Sequence, residues 1–190
     1  MNINKDKKIS IIIPTYNEIG TINKLIENLK QFEHKSEIIF VDGTSSDGTD
    51  ELIKKMHRLL YSPKKGRSNQ MNYGASQSKG DILLFLHADS ILSGDAIDEI
   101  NRVISRGYRV GCFKIKFNSR SIFMKICGVM SNLRVGVRNI AFGDQGIFIS
   151  RDYFYEIGEF PDIPLMEDYK LSMNIKSDGE KIVLLKTEIK

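Results

Sequence analysis

Apolar residues recur along this chain in two periods, and the alternation between them predicts its elements. Lys8–Ile13, Glu37–Val41 and Ile82–Leu86 are short, almost unbroken apolar runs, as expected of strands covered on both faces of a sheet. Pro14 is expected to end the first, because proline donates no ladder hydrogen bond. Between these runs the spacing changes to that of helices. From a start near Thr21, Ile22, Leu25, Ile26, Leu29 and Phe32 share one helical face, and Leu52, Ile53, Met56, Leu59 and Leu60 mark a second. Lys64–Gln70 is a basic loop that leads into a small-residue helix through Ala75, and Ile97, Ile100, Val103 and Ile104 form a further helical face. Strands alternating with helices predict an α/β sandwich with right-handed crossovers.

The regular alternation ends near Val110. In Val110–Phe117, Phe113, Ile115 and Phe117 alternate with Lys114 and Lys116, which predicts a half-exposed strand, antiparallel or at an edge. Ser121–Phe142 carries Ile122, Phe123, Ile126, Val129, Met130 and Leu133, with Arg120, Lys125, Arg134 and Arg138 interspersed. It reads as a basic amphipathic helix, or two short ones, packed through its apolar side; contact with a membrane surface is the alternative. A strand at Ile147–Ile149, short helices ending at Gly158 and near Lys176, and a strand at Ile182–Leu185 complete the pattern.

Composition narrows the class. At 190 residues, 41% hydrophobic and 27% charged, the chain is expected to form one globular domain, or one domain and the start of something else, and it has no internal repeat. A net charge of +4 is too small to argue for nucleic acid, but it suits a phosphate-bearing ligand or an anionic surface. Cys112 and Cys127 follow no metal spacing, so a reducing, cytoplasmic setting is expected. The polar, lysine-rich Met1–Lys8 is expected not to be a signal peptide, and no apolar run is long enough to span a bilayer.

Candidate chemistry follows the strand ends, where open α/β sheets bind ligands. His87 and Asp89 stand just past Ile82–Leu86; two residues apart on an extended segment, they would point to one side and could hold a divalent cation, which implies an anionic substrate such as a diphosphate. Asp42 follows another buried strand and could accept from base or ribose donors, whereas Asp47 reads as a helix cap. Among Lys64, Lys65 and Arg67, one cation facing a diphosphate is plausible. Taken alone, each has a plainer reading: Asn17 and Glu18 as turn residues, His87 as a packed imidazole, Glu167 and Asp168 as carboxylates at a helix start.

Together these stretches resemble the family 2 glycosyltransferases, which have the GT-A fold. The matching pieces are Ile11-Ile-Ile-Pro-Thr-Tyr-Asn-Glu18, Val41-Asp-Gly-Thr-Ser-Ser-Asp-Gly-Thr49, Gly66-Arg-Ser-Asn-Gln-Met-Asn-Tyr-Gly-Ala75, Phe85-Leu-His-Ala-Asp89, Gly143-Asp-Gln145 and Met166-Glu-Asp168. They occur in the family's order over roughly residues 9–186. The resemblance implies a Rossmann-like α/β/α sandwich with a mixed, mostly parallel sheet, a nucleotide-sugar half to about residue 110, and an acceptor and catalytic-base half after it. It implies that Pro14, Thr15, Tyr16, Asn17, Glu18, Asp42, Arg67, Asn72, His87 and Ala88 bind the nucleotide sugar, with Asp42 at the base, Glu18 near the ribose and Arg67 at the diphosphate. Asp89 would match the second aspartate of the family's Asp-X-Asp metal motif, whose first position is His87 here, and would ligate Mn²⁺ or Mg²⁺. Asp168, with Glu167 beside it, would be the general base, and Gly143, Asp144 and Gln145 would line the acceptor side.

The implied activity is inverting, hexosyltransferase-like transfer from a nucleoside diphosphate sugar, expected to be a UDP-sugar, to a hydroxyl of a small molecule, glycan or lipid-linked acceptor. The His-Ala-Asp, Gly-Asp-Gln and Leu-Met-Glu-Asp variants resemble a bacterial subgroup associated with arsenosugar biosynthesis. Family members usually continue beyond the point matching Lys190, so a missing C-terminal acceptor- or membrane-facing segment is expected, as is a place in the cytoplasm or at the inner face of the membrane. The rivals are a nucleotide-sugar-binding module or inactive fragment, and a nucleotidyltransferase, whose glycine-rich basic loop Thr15–Gly20 does not provide.

Overall fold

Strand β1 (Ile9–Thr15) is buried at all seven positions, and the sheet grows outward from it. In this computed structural model, which describes residues 7–117 and 121–190, β2 (Ser36–Asp42) and β4 (Ile82–Phe85) flank β1 in parallel, and β3 (Arg58–Tyr61) extends the parallel run beyond β2. Met1–Asp6 and Arg120 lie outside the described residues. On the other side of β4 the direction reverses. β6 (Ile147–Ser150) pairs antiparallel with β4, β5 (Val110–Ile115) antiparallel with β6, and β7 (Val183–Ile189) parallel with β5, giving the order β3-β2-β1-β4-β6-β5-β7. The sheet is mixed and mostly parallel.

Helices cover both faces, because strands buried on both sides need two apolar layers. Helices α1 (Ile22–Leu29), α2 (Thr49–Lys54) and α4 (Ala96–Ile104) pack on one side through Ile22, Leu25, Ile53, Ile97 and Ile100. Helices α3 (Arg67–Gln77), α6 (Arg151–Glu156) and α7 (Glu167–Ser177) pack on the other through Met71, Ala75, Phe154 and Leu171. Residues of β1 alternate between the two layers, Ile11 and Ile13 facing one and Ile12 the other. At the edge away from the strand ends just named, Arg151 donates to the carbonyls of Gly80 and Ala75 and to Ser78 Oγ, fastening β6 to the start of β4 and the end of α3.

Four expectations are corrected. Pro14 lies inside β1, opposite Val41 of β2. Leu86 donates to the Ile12 carbonyl, so this alternate set of β1 groups faces β4, and β4 has ended at Phe85 before Pro14 is reached; its missing N–H breaks no ladder bond. Leu59 and Leu60 belong to β3, not to a helix: α2 stops at Lys54, and the two leucines then contribute to opposite layers, as strand neighbours do. β5 is antiparallel to β6, as one alternative had it, but it is neither half-exposed nor an edge strand, because β6 and β7 flank it and five of its six residues are buried, Lys114 being the exception.

The fourth correction concerns α5 (Ile122–Arg138), a single helix whose apolar residues face outward. Only Gly128 and Val135 are buried. Asn132 sets this orientation by accepting from the Ile115 amide and donating to the Ile115 carbonyl, 2.9 and 3.0 Å away. Among the described residues, no helix is long and apolar enough to cross a membrane. Both cysteines are free thiols, and burial pushes that of Cys112 upward.

Helix α3 lies close against the strands it follows. A Cβ at Gly74 would come within 2.5 Å of Ile12 Cγ2 and 2.9 Å of Val41 Cγ2. Gly74→Ala is therefore expected to destabilise the fold by about 1–3 kcal/mol, overpacking outweighing the roughly 1 kcal/mol by which alanine favours a helix. Urea unfolding checks this; a variant as stable as the parent would show that this contact does not set the spacing of α3 from the sheet.

Candidate active site

Strand direction collects the site. The C-terminal ends of β1, β2 and β4 open on one edge, and β6, being antiparallel, brings its N-terminal end to the same edge, with Ile147 opposite Phe85. A cleft of about 360 Å³ lies there. Pro14, Thr15, Tyr16 and Glu18 line it from the end of β1, Arg67 and Gln70 from α3, and His87, Ala88 and Asp89 from the end of β4. His87 and Asp89 do share the cleft, but not through strand alternation: the chain turns after His87, whose carbonyl accepts from Ser90.

Arg67 begins α3 and connects the two halves of the site. Its Nε is 2.9 Å from Glu167 Oε1, and a second guanidinium nitrogen is 3.2 Å from His87 Nε2. Arginine only donates, so His87 Nε2 accepts and the neutral ring carries its proton on Nδ1. Burial first, and the Arg67 charge second, hold the His87 pKa below its ordinary value; Asp89 and Asp168 oppose this more weakly. Glu167 is 2% exposed, behind Arg67. It follows Met166, whose left-handed φ of 67° turns the chain into α7.

Asp168 stands beside His87. Its Oδ2 accepts from the Gly143 amide at 2.7 Å and its Oδ1 from the Tyr169 amide at 2.7 Å. A side chain at Gly143 would collide with His87 Nε2 and come 3.4 Å from Asp168 Oδ2, so the bare backbone there lets the 3₁₀ turn Gly143–Gln145 sit between them. Asp144 has a buried oxygen without a hydrogen-bond partner; burial raises its pKa, Arg134 opposing and the charges of Asp168 and Asp89 adding. Gln145 is buried, its Oε1 accepting from Phe142 N and Arg134, and Arg134 lies 3.7 Å from the Phe142 ring centroid.

Three expected ligand contacts lie outside the cleft lining. Asp42 is fully buried and accepts from Thr15 Oγ1 and from both the amide and hydroxyl of Ser45, which braces the loop after β2. Asn17, with a left-handed φ of 56°, exchanges hydrogen bonds with Ser45 and Ser46. Asn72 is engaged at both ends by the backbone of Phe160. Asp47 caps the turn into α2 and also accepts from Ile19, joining the loops after β1 and β2. Sequence reasoning had not singled out Gln70, whose buried amide donates to the carbonyls of Thr15 and Val41, both at 2.8 Å. A polar residue one helical turn from Arg67 and four before Gly74 was the available signal. Arg134 was visible only as one of several basic residues of α5.

Among the described residues, no three His, Cys, Asp or Glu side chains form a metal cage. The donor set fits a different kind of site. The exposed Asp89 carboxylate faces the cleft with no hydrogen-bond partner among the described residues, and Mg²⁺-like ions are commonly held by one or two carboxylates completed by substrate phosphates. His87 Nε2 is engaged by Arg67 and is not open to a metal.

A family model described as Glycosyl transferase family 2 matches residues 10–127. The chain is 26% identical over 203 aligned positions to a poly-beta-1,6-N-acetyl-D-glucosamine synthase of Staphylococcus aureus, covering 96% of this chain and 49% of that protein. It is 25% identical over 158 positions to an undecaprenyl-phosphate 4-deoxy-4-formamido-L-arabinose transferase of Proteus mirabilis, covering 76% and 48%. The chain thus spans about half the length of these curated relatives. Among solved structures, the mannosyltransferase PcManGT of Pyrobaculum calidifontis, in complex with GDP-Man and Mn²⁺, superposes with a TM-score of 0.76 at 18% identity, over 96% of this chain and 56% of its own. S. aureus TarS in complex with UDP-GlcNAc superposes with a TM-score of 0.75 at 19% identity, over 95% and 58%. These likenesses establish the GT-A fold.

The neutral state of His87 has a consequence for stability. Its folded pKa lies below the ordinary 6.5, so above that pH both states are neutral; as pH falls through it, the unfolded chain takes up the proton first and stability is lost. His57, also lowered by burial, acts in the same direction. His87→Gln is expected to remove part of the acid-side loss, measured by urea unfolding between about pH 7.5 and pH 5.5. An unchanged slope would contradict the neutral, accepting imidazole.

Proposed function

The chain belongs to glycosyltransferase family 2, and on that footing we propose that it transfers a sugar from a nucleoside diphosphate sugar to an acceptor hydroxyl with inversion at the anomeric carbon. The observation that carries this reading is the convergence of Arg67, His87 and Asp89 on one cleft with Asp168 beside them. We take the donor to be a UDP-sugar: TarS was solved with UDP-GlcNAc, while the GDP-Man of PcManGT is the alternative.

In this reading the nucleoside lies against Tyr16 and Glu18, on loops that Asp42, Asp47 and Gln70 hold in place. The diphosphate lies toward Arg67 and Asp89. Asp89, together with diphosphate oxygens, would hold Mn²⁺ or Mg²⁺. When bound, the cation would neutralise charge on the departing diphosphate. Arg67 supplies a fixed positive charge to the same group as the bond from the anomeric carbon to the diphosphate oxygen breaks and its electron pair leaves with the diphosphate. The acceptor oxygen forms the new bond to that carbon from the opposite face and gives its proton to Asp168. The Gly143 and Tyr169 amides aim the Asp168 carboxylate. Glu167 is a positioning residue in this scheme rather than a second base, because it is buried and paired with Arg67. The acceptor enters past Gly143–Gln145, where Asp144 has an unsatisfied oxygen.

Asp168→Asn is expected to lower transfer by about 10²–10⁴-fold while leaving thermal stabilisation by donor nucleotide intact. Asp89→Ala is expected to remove the Mn²⁺-dependent part of that stabilisation. Normal turnover of Asp168→Asn would remove the base assignment, and metal-dependent binding unchanged in Asp89→Ala would remove the metal assignment. Release of pyrophosphate rather than nucleoside diphosphate would favour the nucleotidyltransferase reading; donor binding with neither transfer nor hydrolysis would favour a binding module.

A further inference from the structure

Helix α5 reverses the usual arrangement of an amphipathic helix on a globular protein. Its inner side holds one core apolar residue, Val135, beside small and polar ones: Gly128 lies against the sheet and Asn132 is locked to the backbone of Ile115 through both ends of its amide. Its outer side carries Ile122, Phe123, Ile126, Val129, Leu133 and Val137 at helical spacing. Ile122 is 74% exposed, Val129 64% and Val137 73%. The helix cannot roll this stripe inward without breaking both Asn132 bonds. Isolated exposed leucines and valines are ordinary, but a contiguous apolar face along a 17-residue helix marks an interaction surface.

Charge selects the occupant. Between Phe117 and Asp144 the sequence contains no acidic residue, whereas Lys125, Arg134 and Arg138 all lie on α5. Lys125 and Arg138 are exposed beside the apolar stripe. A depression of about 530 Å³ on the helix is lined by Met130, Leu133 and Val137 together with Arg134 and Arg138. Apolar surface closed off by guanidinium groups fits acyl chains beneath anionic headgroups. A symmetric second copy would instead bring like charges together across the contact.

We propose that α5 is a monotopic membrane-docking helix, lying in the interface of an anionic bilayer with its apolar stripe in the acyl boundary and its basic residues at the headgroups. The proposal stands on the exposed face and does not depend on the transferase reading. Docking would also hold Arg134, and through it Phe142 and Gln145, close to the lipid surface.

Co-sedimentation of the full 190-residue chain with phosphatidylcholine vesicles, with and without about one third phosphatidylglycerol, tests it. Binding is expected to the anionic vesicles and to weaken at high salt. Val129→Glu combined with Leu133→Glu, both outward-facing, is expected to keep the unfolding midpoint and weaken binding by about tenfold or more. Lys125→Glu combined with Arg138→Glu is expected to weaken it by a similar factor through charge alone. Absence of binding to anionic vesicles, or binding that neither pair of substitutions reduces, would overturn the proposal. So would a lipid-independent dimer abolished by Val129→Glu with Leu133→Glu, which would assign the face to a second copy.

Discussion

The antiparallel pairing of β6 against β4 is the constraint on which the site depends. Every other strand neighbouring β1 or β2 is parallel, and a wholly parallel sheet would deliver only loops that follow strands to the binding edge. Reversing one strand delivers a loop that precedes it. The turn Gly143–Gln145 thereby meets His87 at the end of β4, and the Gly143 amide can reach Asp168. The end of β4 and the turn before β6 are joined by sheet register, Ile147 opposite Phe85.

Electrostatics then sorts the charged groups. One guanidinium, Arg67, touches both a buried carboxylate, Glu167, and a neutral imidazole, His87. An isolated buried carboxylate is costly, so Glu167 and Arg67 fix one another, and His87 gives up its charge first because it is buried and second because of the cation beside it. Asp89 is exposed on the cleft, whereas both oxygens of Asp168 accept from backbone amides, those of Gly143 and Tyr169. Groups braced on several sides, such as Asp42 and Glu167, belong to the scaffold, whereas Asp89 is left open to the cleft.

This distinction shows how far the sequence could be read. The strands at Ile9, Ile38 and Ile82 and the helix at Ile22 were legible because their periods are clean and both sheet faces are covered. The edge strand Arg58–Tyr61 was not, since Leu59 and Leu60 continue the apolar spacing of the preceding helix and only their pairing with β2 separates them. Periodicity correctly grouped the apolar residues of α5 but could not tell which way the group faces; one side-chain amide, Asn132, decides that. At the site, the positions of His87 and Asp89 just past β4 were legible, because strand polarity alone puts them on that edge, while Arg67 reaches the same cleft from the start of α3. The internal engagement of Asp42 and Asn72 was not, because it depends on partners distant in sequence, Thr15 and Phe160.

The same strand order imposes a schedule on synthesis. Ile82-Leu-Leu-Phe85 is apolar at every position, and one of its two edges is completed only by Ile147–Ser150. While the ribosome makes the intervening helices and β5, that edge presents unpaired backbone groups on an uncharged, strand-forming segment, the kind of surface that recruits other chains. The interval between these two strands is therefore the time at which a nascent chain of this fold is most open to aggregation, and slow translation there would prolong the exposure.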